Sequence, residues 1–586
     1  MNDLSPSAFE RASAINRSEA RESPTSTKPP RSDIGTIVIH WTASIACMIS
    51  LVTGLRLASD QEFSVVWRAI APILPQGEIW SWHIISGLVL YFASTAYAIY
   101  MHRSGLKRRV ALAKVRALTL PSARRTKWGA VNVLLHWVLY GLLIIQTVTG
   151  VLLYLGHGGW WVTVHSSAAT AVLIYILAHT VAHFGYGGLQ QLLRLFRPAP
   201  LVKTEATRSR PLLIAASVGL VVAASLVVAD YGTLDKLTIR SISDGNAPKL
   251  DGVMDEPMWR TARPVSVRTM QGSSLTGGLG ESTVEIRAVH DSKRVHFAFR
   301  WEDPSRSLRR VPMIKKEDGW HVLGNRVDNA DVSDFYEDKF AILFAKDDGF
   351  GNAGTTHMGR TPLGDKKLPA AVNERGLHYT TDGSFVDVWQ WKASRGGGLG
   401  VVDDQYFGPP REATPGEASG KARYQGGYWN DPGRAFYSYN YKIDVGHRGP
   451  VPQLSRLPKD LGATVAALGK FDLEPDSSDE EGARWWMTEA ETVPYSRELD
   501  DKIPVGTVLP GVLIIGNYEG DRAHIQGGAK WKDGHWTLEV SRDLITGSKF
   551  DHDFIPGQDL YIWVSVFDHN QTRHTRHMRP VKIEVR

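Results

Sequence analysis

The sequence predicts a multidomain protein: an α-helical membrane bundle of four helices, a fifth anchoring helix, and then an all-β sandwich. Three observations predict this. Apolar runs at about 34–57, 82–101, 129–154, 163–184 and 211–230 each approach the roughly 20 residues that a spanning helix needs. The first four carry His40, His83, His136, His165 and His179, and ionisable side chains in lipid are costly and usually functional. From about residue 236 the pattern turns to short period-two runs between Gly, Pro and Asp breaks.

The loops orient the bundle. Loop 102–127 holds Arg103, Lys107, Arg108, Arg109, Lys114, Arg116, Arg124, Arg125 and Lys127 and no acid. Loop 185–210 adds Arg194, Arg197, Lys203, Arg208 and Arg210 against Glu205. Basic loops stay on the cytoplasmic side, which puts the N-terminus inside and everything after Tyr231 outside. The expected divisions are a disordered cytoplasmic tail at 1–32, the four-helix domain at 33–185, a basic cytoplasmic loop at 186–210, the fifth helix at 211–231 and an outer domain at 236–586. Residues 1–32 lack the apolar core of a cleaved signal, so the first span is expected to act as signal anchor. In a bacterium this is a multi-pass protein of the inner membrane with a periplasmic C-terminal domain.

The histidines share an arrangement. His40-Trp41 is followed by Thr53-Gly54 and His136-Trp137 by Thr149-Gly150, with 13 residues from His to Thr in both copies. Trp80 precedes His83 and Trp161 precedes His165, so the block reads as a duplicated helix pair. His165 and His179 lie 14 residues apart, about 21 Å along the axis and within roughly 40° of one face. One helix then offers a ligand to each of two haems stacked across the bilayer. His83 with His165 makes the outer pair; the inner pair joins His179 to His40 or His136, with His183 a further candidate. Asp and Glu are absent from these four spans, and neutral imidazole suits haem iron. The lone cysteine, Cys47, excludes a disulfide within the chain and covalent Cys-x-x-Cys-His haem attachment. The net charge of +6 resides largely in the cytoplasmic loops, which argues against nucleic acid as a partner.

On these residues, 33–185 resembles the bacterial di-haem cytochrome b561 and hydrogenase b-type cytochrome family. The resemblance implies that His83/His165 ligate one haem b and His40/His179 the other, with His136 matching a histidine often found on the third helix. It also implies electron exchange between quinone in the membrane lipid and a redox partner on the outer face.

In the outer part, period-two runs fall at Thr283–His290, Arg294–Trp301, Lys339–Ala345, Phe385–Trp391, Trp536–Val540 and Leu560–Val566, a pattern that favours a β-sandwich. Stretches 346–382 and 392–435 read as long loops. Leu250-Asp251-Gly252, Asp255-Glu256-Pro257 with Trp259, Phe299-Arg300-Trp301-Glu302-Asp303, His357-Met358, Asp387-Val388-Trp389-Gln390-Trp391-Lys392 and Asp533-Gly534-His535-Trp536 leading to Arg542 resemble the haem-binding subunit family of ethylbenzene dehydrogenase. Its sandwich is similar to family 9 carbohydrate-binding modules. The resemblance implies a third haem b on Met358 and a ligand near the C-terminus. Where the family has a lysine, this tail reads Arg573-His574-Thr575-Arg576-His577-Met578, so His577 is the expected ligand, ahead of His574 and Lys582.

The expected function is that of a membrane multi-haem b-type cytochrome, an electron-transfer protein and not a complete enzyme, passing electrons between the quinone pool and a periplasmic partner. Two other functions fit the same residues: an outer domain that binds a carbohydrate-like ligand without haem, or a transmembrane reductase of ferric or small-molecule substrates. The sequence sets neither the oligomeric state nor the direction of electron flow.

Overall fold

The computed structural model describes residues 29–59, 69–70, 73–75, 77, 79–205, 208, 210–271, 281–323, 334–349, 356–359, 377–419, 424–441, 450–451, 453–474, 477–571 and 574–586. Five long apolar helices come first: α1 Ile34–Ser59, α2 Ile79–Arg103, α3 Arg124–Tyr154, α4 Trp160–Leu192 and α5 Pro211–Gly232. All five are long and apolar enough to cross a membrane. Large apolar side chains stay exposed along them, among them Ile45, Ile144, Leu177 and Val228, a surface suited to lipid. The helices run a few residues past the apolar runs at most of their ends. The last turn of α4 goes beyond 185, after a break at Gly187 and Gly188.

The chain separates into two compact units. The first comprises the described parts of 1–47, 88–144 and 170–224. Here Asp33 caps α1: its carboxylate accepts the Thr36 backbone N–H at 2.9 Å and the Thr36 hydroxyl at 2.8 Å. Tyr100 on α2 donates to the same carboxylate at 2.6 Å, and Arg109 pairs with it at 3.1 Å. Small residues allow close helix contact; a Cβ on Gly219 of α5 would stand 3.0 Å from Phe92 of α2.

The second unit comprises the described parts of 48–87, 145–169 and 225–586. Its bulk is a 13-stranded sheet. In chain order the strands are β1 Lys236–Ser241, β2 Val265–Gln271, β3 Glu281–His290, β4 Arg294–Glu302, β5 Lys339–Ala345, β6 Val386–Lys392, β7 Asp403–Phe407, β8 Tyr428–Asn430, β9 Gln526–Lys532, β10 His535–Asp543, β11 Tyr561–Phe567, β12 Thr575–Arg576 and β13 Val581–Val585. The spatial order is β8-β7-β6-β5-β11-β13-β1-β3-β4-β10-β9, with β2 paired to β3 and β12.

The β5 side and the β4 side of this path pack face to face. Trp301 of β4 stacks on Phe340 of β5 with centroids 4.3 Å apart, and Phe297 meets Phe344 at 5.6 Å and Trp389 at 5.7 Å. These rings form one buried core with Ile286, Leu538, Val540, Ile562 and Val564. Period-two alternation is clearest along β3, which has one wet face, whereas β5 is buried along its whole length. The expected sandwich and its six strands are all present. The stretch 392–435 is not one long loop, because it carries β7 and β8. Both are short and polar, Asp403-Asp404-Gln405 and Tyr428-Trp429-Asn430, and give little hydrophobic alternation to read.

Candidate functional site

His83 of α2 and His165 of α4 face each other with ring centroids 6.2 Å apart at 71°. A threonine on a neighbouring helix holds each ring. Thr53 gives its hydroxyl proton to the Ile49 carbonyl at 2.7 Å and lies 2.9 Å from His83 Nδ1. Thr149 donates to the Ile145 carbonyl at 2.7 Å and lies 2.8 Å from His165 Nδ1. A hydroxyl has one proton, so each threonine accepts from Nδ1–H. That fixes both imidazoles as the tautomer whose Nε2 lone pair is available to a metal. The next residue clears space for the ring: a Cβ on Gly54 would stand 3.2 Å from His83 Cε1, and one on Gly150 3.6 Å from His165 Cε1. The repeated Thr-Gly pairs of the sequence are thus the seats of His83 and His165.

In the other unit, His136 of α3 and His179 of α4 lie 5.4 Å apart at 72°, and His183 stands 4.5 Å from His179. His136 Nδ1 donates to the Asn132 carbonyl at 2.6 Å, which again leaves Nε2 as the lone-pair nitrogen. His179 Nδ1 meets the Tyr175 hydroxyl at 3.3 Å, and His40 Nδ1 meets Ser44 Oγ at 3.2 Å. The ring contact of His40 is with Trp41. The ring set directly against His179 from another helix is therefore that of His136. A set of half-buried imidazoles whose Nδ1 atoms are already held fits b-type haem.

The C-terminal tail lies beside the outer pair, within the same unit. The Arg576 guanidinium covers the ring of Trp80, three residues before His83, at 4.5 Å. Arg579 grips Asp230 at the end of α5 at 2.8 Å, and Tyr154 of α3 donates to the same carboxylate at 3.0 Å. The turn after α3 presses on β2, where a Cβ on Gly156 (φ +88°) would come within 2.4 Å of the Arg268 carbonyl oxygen.

His577 is placed as a core residue. Its Nδ1 donates to the Arg579 carbonyl at 2.8 Å, and its Nε2 accepts the Val564 N–H at 3.0 Å. Burial pushes the imidazole down to about 4, so it is neutral. As placed, both of its ring nitrogens are engaged by backbone groups. The His574 ring lies tilted against Phe567 at 4.8 Å, and its Nδ1 donates to the Thr575 carbonyl at 3.0 Å. Lys582 pairs with Asp559 at 2.7 Å. Met358 lies in a short strand paired with 377–380, opposite His378, but its side chain is outside the described residues.

The other quoted stretches build scaffold. Glu539 of β10 accepts the backbone N–H groups of Asp251, Gly252 and Val253 and, at 2.7 Å, the Trp259 indole. Asp387 pairs with Arg542 at 2.7 Å, and Trp389 and Trp391 lie in the core. Thr53, Thr149 and Asn132 were given no role from the sequence. The duplication could have revealed the two threonines; Asn132 acts through its carbonyl and has no signal.

A membrane helical bundle with paired, tautomer-fixed imidazoles defines the class of b-type cytochromes. Residues 31–198 match the prokaryotic cytochrome b561 model, which makes this a membrane b-type cytochrome of electron transfer. Residues 256–579, more than half of the chain, match the ethylbenzene dehydrogenase model, and the chain belongs to that family. No curated protein matches. Among solved structures, the outer domain aligns with a family 9 carbohydrate-binding module from Caldicellulosiruptor kristjanssonii bound to cellotriose (8% identity, 60% of this chain, 93% of that one, TM-score 0.20). It also aligns with a putative carbohydrate-binding protein from Bacteroides uniformis (7% identity, 60% and 100%, TM-score 0.21).

Proposed function

We propose that this protein carries electrons between the quinone pool and a periplasmic redox partner, using two haems b in the membrane bundle and a third in the outer domain. The observation that carries the reading is the His83/His165 pair with both Nδ1–H groups held by threonine. When bound, haem supplies reversible one-electron chemistry. The chain supplies ligands, fixed tautomers and exclusion of water.

His83 and His165 hold the outer haem. His179 holds the inner one, with His136 as its partner on geometry and His40 as the competing ligand from α1. Met358 and a ligand from the tail, His577, His574 or Lys582, hold the third. The grip of Arg576 and Arg579 on the outer end of the bundle favours transfer between the outer pair and the tail. The basic loops favour an inner-membrane setting with the sandwich in the periplasm.

The reading is tested by mixing the purified chain anaerobically with a quinol and following the haem absorbance. Rapid reduction that slows in His179→Ala is expected; no reduction by any quinol would refute the quinone link. His40→Ala and His136→Ala, compared by haem content, decide the inner ligand.

A further inference from the structure

The outer domain holds a second cluster of titratable groups that haem binding does not use. Asp387 of β6, Asp404 of β7 and Asp431 just after β8 are buried, and the side chain of Asp551, in the loop after β10, is 1% exposed. Trp389 and Asp404 are opposite each other in the ladder, and Asp387 is opposite Tyr406, so the two aspartates are diagonal neighbours on one face. The Asp431 N–H bonds the Asp404 carbonyl at 3.2 Å, which brings the third carboxylate to the same place. Oxygens of Asp404 and Asp551 and a ring nitrogen of His524 all lie within 4.8 Å of one another.

Few cations face this group. Arg542 Nη1 meets Asp387 at 2.7 Å and Asp551 at 3.5 Å, and His524 Nδ1 meets Asp551 at 3.3 Å. Among the described residues, no N–H or hydroxyl group donates to six carboxylate oxygens: Asp387 Oδ1, both of Asp404, both of Asp431, and Asp551 Oδ1. Asp404 is fully buried and Asp431 is 2% exposed, so bulk solvent does not reach them. The neighbouring Asp403 is the contrast: Arg522 bonds it at 2.6 Å and Lys392 also pairs with it. An isolated buried carboxylate is strongly disfavoured unless something compensates its charge. Burial, and next the charges of Asp551 and Asp387, push Asp431 up to about 8. The cluster as it stands gathers more carboxyl groups than cations, and ionising them together is opposed.

We propose that Asp387, Asp404, Asp431 and Asp551 form a structural calcium site that ties β6, β7, β8 and the loop after β10 together. Calcium takes six to eight oxygen ligands in flexible geometry, matching the number of unpartnered oxygens, whereas magnesium demands a stricter octahedron and keeps several waters. The site neither needs nor excludes haem.

The test uses the full chain in detergent, washed with EGTA and re-equilibrated with calcium or magnesium alone. Elemental analysis and unfolding temperature are measured for the wild type, Asp404→Asn and Asp431→Asn. Expected are about one calcium per wild-type chain and a fall in Tm in EGTA that calcium restores and magnesium does not. The variants should lose the ion, and calcium should no longer move their Tm. A wild-type chain with no bound calcium and one Tm in EGTA and calcium would overturn the proposal. So would variants that keep the ion. If both variants fail to fold, the wild-type metal content and Tm response decide.

Discussion

Thr53 and Thr149 set the chemistry of the outer pair through a single proton each. Both hydroxyls spend that proton on a carbonyl four residues back, so each can only accept from its histidine. Thr53→Val and Thr149→Val keep shape and remove the acceptor. Loss of such an outer-shell partner lowers metal affinity by about 10–100-fold. The variants should retain less haem through purification and show a shifted midpoint potential, read by redox titration. Unchanged content and potential would mean the threonines are only packing. The histidines themselves were legible in the sequence because ionisable residues stand out in apolar runs. The partners of His577 were not legible, because only the fold brings Val564 and Arg579 to its two nitrogens.

Among the elements, β10 anchors the opening segment of the sandwich. Glu539 faces four donors, the N–H groups of Asp251, Gly252 and Val253 and the Trp259 indole. Glu539→Gln would point an amide NH2 at some of these donors, and each buried group left unsatisfied costs about 1–3 kcal/mol. The variant should unfold at a lower temperature with its membrane haems intact; an unchanged Tm would contradict this role. Gly252 has φ +77°, and its Cβ would lie 2.3 Å from the Lys530 nitrogen. Gly252→Ala should therefore destabilise the same corner, and chymotrypsin digestion should show the 242–262 segment cut faster than in the wild type. The strands β3, β4, β5 and β10 were legible from alternation and aromatic content. The polar β7 and β8 were not, since their side chains serve carboxylate pairing and ladder edges more than the core.

For the whole molecule, the order of parts was readable because lipid and water impose opposite compositions on the two regions. The docking of tail on bundle was not readable. It rests on Arg576 over Trp80 and Arg579 on Asp230, pairs separated by several hundred residues with no periodic signal. Arg579→Ala should loosen that contact and slow re-oxidation of the membrane haems by a periplasmic acceptor, while leaving their number unchanged; stopped-flow spectroscopy measures this.

The central claim is that the bundle and the sandwich together carry haem b on named ligands. The most direct measurement is haem b per full-length chain by pyridine haemochrome, for the wild type and for His165→Ala. The account predicts about three haems in the wild type and one fewer in the variant, with the reduced spectrum of the outer haem missing. No haem in the wild type, or a full complement in His165→Ala, would contradict it.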